Sequence, residues 1–278
     1  MPDNTEPNAI EKIFKENSPE TIATWRIDED PSHYGPTGTF GFPKNRKDVD
    51  EAYIVTIESK ALNRTIRALL QDDFSTSVQS TWANPTMTGF LTPVLQEVAQ
   101  AATTIGVGSQ FMTRRIWHNS TPMKLQLKLK FDSIVNAHNE VVVPCGTLQQ
   151  MTLPGKVRYA DRGEGTASTA KEFLEHVLII PPGPNPFYVS SDAAARINEA
   201  TGAPTGWMSR RQGDVIKINI GGLMSFENVI LREVEVVWGR RFNKEGKPIN
   251  ATATVNFESF EIYTKEDINQ ELFKHNVV

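Results

Sequence analysis

Sulfur chemistry is almost missing from this chain, which holds one cysteine, Cys145. A lone thiol makes no internal disulfide and cannot supply a multi-cysteine zinc site. Folding in a reducing cytoplasm is therefore expected. The polar, acidic start MPDNTEPNAIEKIFKEN has no apolar signal-peptide core. No apolar run approaches the roughly 20 residues that cross a bilayer, so no membrane partner is expected. Positive charge is not in surplus either: 29 Lys and Arg stand against 33 Asp and Glu, a net charge of -4. A protein that grips nucleic acid neutralises phosphates with an excess of basic residues. The balance argues against such a grip, and leaves open a pore through which DNA slides.

Catalytic motifs are as scarce. The five histidines, His33, His118, His138, His176 and His275, form no HExxH or HxH pair. There is no GxSxG elbow, no P-loop and no dinucleotide fingerprint. Cys145 follows Val141, Val142, Val143 and Pro144, and reads as a buried structural thiol. Carboxylate pairs such as Asp72 with Asp73, Glu233 with Glu235 and Glu258 with Glu261 arise freely in a chain this acidic. A glycosidase would need two carboxylates about 5–10 Å apart across a cleft. The chain is expected not to be an enzyme, with no catalytic residue, cofactor or metal.

What remains is a chain built to pack. Hydrophobic residues make up 39% and charged residues 22% of 278. That length suits one large domain or two small ones. Residues 1 to 50 stand apart, with six prolines and the glycine-punctuated run DPSHYGPTGTFGFPKN. They read as a floppy tail or as an extended arm that lies along a neighbouring subunit. Trp25, Tyr34, Phe40 and Phe42 favour the arm, because disordered segments carry few aromatics. The domain proper is expected over 51 to 278, with insertions around 136 to 213.

Within that domain the patterns are mainly β. EAYIVTIESK reads as a strand. Leu62, Ile66, Leu69 and Leu70 fit a helical stripe better. A helix is expected over TPVLQEVAQAATTIG, with Thr92 as N-cap and Pro93 at its first position. QFMTRRIWH and MKLQLKLKF then read as two arms of a hairpin turned at NSTP. The second arm alternates strictly, with Lys124, Lys128 and Lys130 on one face and leucines on the other. A short helix lies between Pro144 and Pro154. HVLII gives a short strand stopped by prolines. Residues 155 to 170 and 190 to 213 read as loops, the latter with a short helix.

The last third is the most informative. DVIKINIGG is a strand, and a long hairpin follows. Simple alternation puts Val229, Leu231, Glu233, Glu235 and Val237 on one side of its first arm. It puts Phe226, Asn228, Ile230, Arg232, Val234, Val236 and Trp238 on the other. Asn243 to Gly246 supply the turn. The second arm alternates Ile249, Ala251, Ala253, Val255 and Phe257 with Asn250, Thr252, Thr254 and Asn256. KEDINQELFKH closes the chain as a short helix.

The segment FENVILREVEVVWGRRFNKEGKPINATATVNFESFEIYTKEDI resembles the C-terminal hairpin of baseplate tube-initiator or tube-cap proteins of contractile-tailed phages. The shared order is a Phe-Glu-Asn-Val-Ile start, a charged turn ending in Gly-Lys-Pro, and a small alternating strand that finishes in Thr-Lys-Glu-Asp. VVVPCGTLQQMTLP is similar to the helix inserted in that family, and LIIPPGP to its proline-ended strand. The resemblance spans about residues 50 to 278 and is most specific over 214 to 267.

It implies a tail-tube-like β-sandwich or barrel (α+β, mainly β) with long hairpins and a flanking helix. It also implies a homohexameric ring in the virion tail baseplate, made in the host cytoplasm. The partners implied are further copies of the chain, the tail tube protein and baseplate hub proteins, with DNA only passing through. The ring-forming hairpin would comprise Phe226, Val229, Ile230, Val234, Val236, Trp238, Ile249, Val255 and Phe257. Asn250, Thr252, Thr254 and Asn256 would face the lumen. Arg240, Arg241, Lys124, Lys128 and Lys130 would meet neighbouring subunits, the lysines pairing with an adjacent chain's carboxylates or pointing outward. Rival readings are a tube or tail-terminator protein and, in another class, a cell-wall-binding or hydrolase module.

Overall fold

A computed structural model describes residues 30–43, 49–83, 115–158, 169–186, 213–268 and 272. The fold is mainly β with few short helices. Its centre is a closed barrel of six antiparallel strands. In order around the wall these are β2 (Ile54–Ser59), β10 (Ile216–Ile220), β11 (Met224–Trp238), β12 (Asn250–Ser259), β7 (Lys124–Asp132) and β3 (Arg64–Leu70). β3 then pairs with both β7 and β2, which closes the circle. Closure removes the edges that an open sheet of this size would leave.

The period-two signal decides which side chains fill the barrel. Leu125, Leu127, Leu129 and Phe131 of β7 point in and are buried, as do Ala251, Ala253, Val255 and Phe257 of β12. The two strands are complementary in size. Ala251 lies opposite Phe131 and Ala253 opposite Leu129, so small residues make room for large ones. Ile216, Ile218 and Ile220 of β10, with Val55 and Ile57 of β2, complete the wall.

Two expectations are corrected here. Leu62, Ile66, Leu69 and Leu70 are not a helical stripe, because Arg64–Leu70 is strand β3. Its inward positions are Arg64, Ile66 and Ala68, so a buried arginine stands where an apolar residue would have revealed the alternation. Nor does the described end of QFMTRRIWH, Ile116 to His118, pair with MKLQLKLKF. β6 (Ile116–Ser120) pairs with β5 (Ser80–Ala83), while β7 pairs with β4 (Ser75–Ser77) on the side away from β12. The Thr121 N–H donates to the Gln79 carbonyl at 2.8 Å, which carries the pairing across the expected turn. β4–β5 and β6–β7 are thus the two sides of one long ribbon that leaves the barrel.

Other elements follow expectation. Pro144 sits in the first turn of helix α1 (Val143–Met151), which continues a π-helical turn over His138–Val142. Val141, Cys145, Leu148 and Met151 join the barrel core. α2 (Thr169–Val177), which the sequence did not announce, leads into β9 (Ile179–Ile180), paired with β8 (Gly155–Lys156). Thr264 and Asp267 form a capping box at α3 (Lys265–Asp267). The helix expected at Thr92 and most of the loop expected over 190 to 213 lie outside the described residues.

The described part of the N-terminal arm docks on its own barrel. β1 (Gly38–Gly41) runs parallel to β3. Arg64 clamps the segment: its guanidinium donates to the carbonyls of Tyr34 at 2.6 Å and Pro36 at 2.7 Å. The same group donates to Thr147 Oγ1 at 2.7 Å and Gln150 Oε1 at 2.8 Å on α1. Four neutral acceptors hold one buried cation, and burial pushes its pKa below the ordinary arginine value.

Candidate functional site

On one side of the barrel, β4, β7, β12 and β11 form a four-stranded sheet whose outer face is polar. Each outward row reads across the strands. Glu233 lies opposite Asn256, which lies opposite Gln126 and then Ser75. Glu235, Thr254 and Lys128 form the next row, and Val237, Thr252 and Lys130 the one after. The β12 row Asn250, Thr252, Thr254 and Asn256 is neutral, half-buried and central. An acidic β11 row flanks it on one side and a basic β7 row on the other.

Two of the three lysines are answered within the chain, and Lys124 is exposed. Lys128 Nζ lies 2.7 Å from Asp72, and Lys130 Nζ 2.7 Å from Asp132. They point outward, one of the two alternatives expected for them, and their carboxylate partners are intramolecular. Asn256 Nδ2 donates to Glu233 at 2.8 Å, and Arg232 lies 3.4 Å from Glu258. The face is hydrogen-bonded and close to neutral.

Two bulges in β11 decide which residues reach it. One residue is inserted between Phe226 and Val229, opposite the interval from Ile218 to Ile216. A second is inserted between Leu231 and Glu233, opposite the step from Phe257 to Asn256. Asn228 takes a left-handed φ of 53° at the first, a conformation asparagine tolerates better than most residues. Each bulge switches the strand's faces. Phe226, Val229, Leu231, Val234 and Val236 therefore all serve the barrel interior. This corrects the simple alternation, which set Val229 and Leu231 apart from Phe226 and Val234.

No family model matches this sequence, and no curated protein aligns with it.

The expected ring-forming residues divide accordingly. Phe226, Val229, Val255 and Phe257 are buried in the chain's own core, so their side chains meet no neighbour. Val234 and Val236 pack on that core from partly exposed positions, and Ile230 and Ile249 are half-buried. Trp238 is 40% exposed. Arg240 and Arg241 are exposed at the hairpin end, beside exposed Phe242. The turn is built as expected: Asn243 Oδ1 accepts from the N–H groups of Glu245 and Lys247, both at 2.9 Å.

The sheet has two open edges. β10 pairs with β11 only as far as Val229, and no described strand pairs with that edge of β11 beyond it. On the other side β4 is the last strand of the order. Sequence reasoning placed Glu233 and Glu235 on one face without assigning them to the site, and it missed the role of β4. The doublets Glu227-Asn228 and Arg232-Glu233, which interrupt the alternation, were the available signal.

Proposed function

We propose that this chain is a structural protein of a contractile phage-type tail, a baseplate component that starts or caps the tail tube. The observation that carries the reading is the four-stranded sheet with a polar outer face and two open edges. Open edges invite strand addition. If β11 of one copy pairs with β4 of the next, the sheets join into a ring and both of these edges are satisfied. Six copies would give 24 strands. At about 4.8 Å per strand the ring has a diameter of about 37 Å before tilt, which admits a DNA duplex. The lumen surface would be the outer face, with Asn250, Thr252, Thr254 and Asn256 at its middle. Lysines already held by Asp72 and Asp132 leave little free positive charge to retard passing phosphates. Among the described residues, no helix is long and apolar enough to cross a membrane. The virion is the proposed location, with the tube protein and hub proteins as partners.

The experiment is negative-stain imaging of the purified chain, alone and mixed with the tube protein of the same tail. Thr76→Lys is the matched variant. Thr76 sits on the open strand β4 and is exposed. An edge lysine at an inward position blocks strand addition without loading the core. Rings or seeded tubes are expected from the native chain and not from Thr76→Lys, at an unchanged melting temperature. Seeding by both proteins alike, or by neither, would overturn the reading.

A further inference from the structure

We infer that a groove on the opposite side of the barrel is a binding site for a single carboxylate, presented by an extended segment of another polypeptide. The groove lies over the outer face of β1, β3, β2 and β10 and has a volume of about 1000 Å³. Thr39, Thr56, Thr65, Asn219 and Ser225 give it hydroxyl and amide groups. At its base is Arg67, which is only 7% exposed. The Arg67 guanidinium is poorly answered. Its Nε is buried with no hydrogen-bond partner. Among the described residues its one ion-pair contact is Glu51 at 3.6 Å, and that carboxylate is 86% exposed on the rim. Compare Arg64 on the same strand, which has four acceptors within 2.8 Å. A buried cation with an unsatisfied N–H is costly, and an incoming acceptor relieves the cost.

The lining selects the ligand. Asp50, Glu51 and Glu58 stand against Arg67 and Lys217. Lys217 is also engaged by Glu227. A dianion such as phosphate would be repelled by the three carboxylates, whereas a monoanion meets one strong cation. A guanidinium fork matches a carboxylate with two parallel bonds. The groove is open and lined with uncharged donors and acceptors along the strands. That suits an extended chain, whose backbone those groups can bond, more than a compact metabolite. The inference does not depend on ring formation, and its test uses the isolated full chain.

The test follows the Arg67 Nε–H signal by NMR, assigned by its loss in Arg67→Lys. The probes are acetate, inorganic phosphate, and the capped peptides Gly-Glu-Gly and Gly-Gln-Gly. Saturable shifts are expected with acetate and the Glu peptide, the peptide binding severalfold tighter. Glu51→Gln removes the competing rim carboxylate and should tighten both severalfold. Acetate should also raise the melting temperature of the native chain and not of Arg67→Lys. A still signal with every probe would overturn the site. Equal response to the Glu and Gln peptides would overturn the carboxylate. A Glu peptide no tighter than acetate would overturn the polypeptide, and phosphate binding above acetate would overturn the monoanion.

Discussion

Glu140 shows how one side chain can organise a turn. It is 7% exposed and accepts at Oε2 from the N–H groups of Ile134 at 2.6 Å, Val135 at 3.0 Å and Asn136 at 3.2 Å. Burial pushes its pKa up, but these three amides and Ser133 pull it further down, leaving it below the ordinary carboxylate value. A lowered folded pKa stabilises the fold above the unfolded carboxyl range, and that gain is lost as pH falls through the folded value. Glu140→Gln should cost about 1–3 kcal/mol near neutral pH. Its deficit against the native chain should shrink as pH drops below about 4. Denaturant melts across pH would show this, and a constant deficit would refute it. Cys145 is the opposite case: burial pushes its thiol up to about 12. That agrees with the structural reading of the lone cysteine. Asp214 is raised by burial too, against the lowering pull of the Ser59 hydroxyl at 2.8 Å and the Ala61 amide at 3.3 Å.

Elements carry the size matching that residues alone do not. Ala253 sits between Leu129 of β7 and Val236 of β11 and is fully buried. Ala253→Phe should overpack this layer and cost about 1–3 kcal/mol, read as a lower denaturation midpoint at unchanged m-value. An unchanged midpoint would mean that the layer has room. The elements also show what the sequence makes legible. β7, β10 and β12 are readable because each places an unbroken apolar row inward. α1 is readable because prolines bracket it. β3 is not, since Arg64 points inward and its justification lies in Tyr34, Pro36 and α1, far away in sequence. The Pro122 break resembles a turn from within. Only the distant partner Gln79 reveals that the strand runs on. The neutral β12 row of the candidate face was legible from alternation alone, whereas its open edges depend on pairings that no local pattern encodes.

At the scale of the whole molecule, Arg64 ties together three parts: the arm, the barrel and α1. Arg64→Met keeps the length and removes the donors. It leaves two carbonyls, a hydroxyl and an amide oxygen in search of partners, at a cost of about 2–4 kcal/mol. The loss should also be local. Hydrogen exchange should accelerate in β1 and α1 before it does in β12, and uniform acceleration would mean that the clamp is not specific to those parts. The same layout separates two surfaces. The polar four-stranded sheet and the Arg67 groove lie on different walls of one barrel, so a neighbour at either need not disturb the other.

The paired bulges of β11 act on the strand's faces as two insertions act on a reading frame. Phe226 and Trp238 are an even number of residues apart, so naive alternation reads both ends of the strand correctly and inverts only the stretch from Val229 to Leu231 between the insertions. The first insertion is a frameshift, and the second is its suppressor. Straightening the strand at either bulge alone, with no residue removed, would turn every downstream side chain over and send Val234 and Val236 to the polar face, with Glu233 and Glu235 inward. Straightening both would restore the downstream frame. A one-residue deletion at either bulge is therefore absorbed there with the faces kept, whereas one elsewhere in the strand would invert everything beyond it.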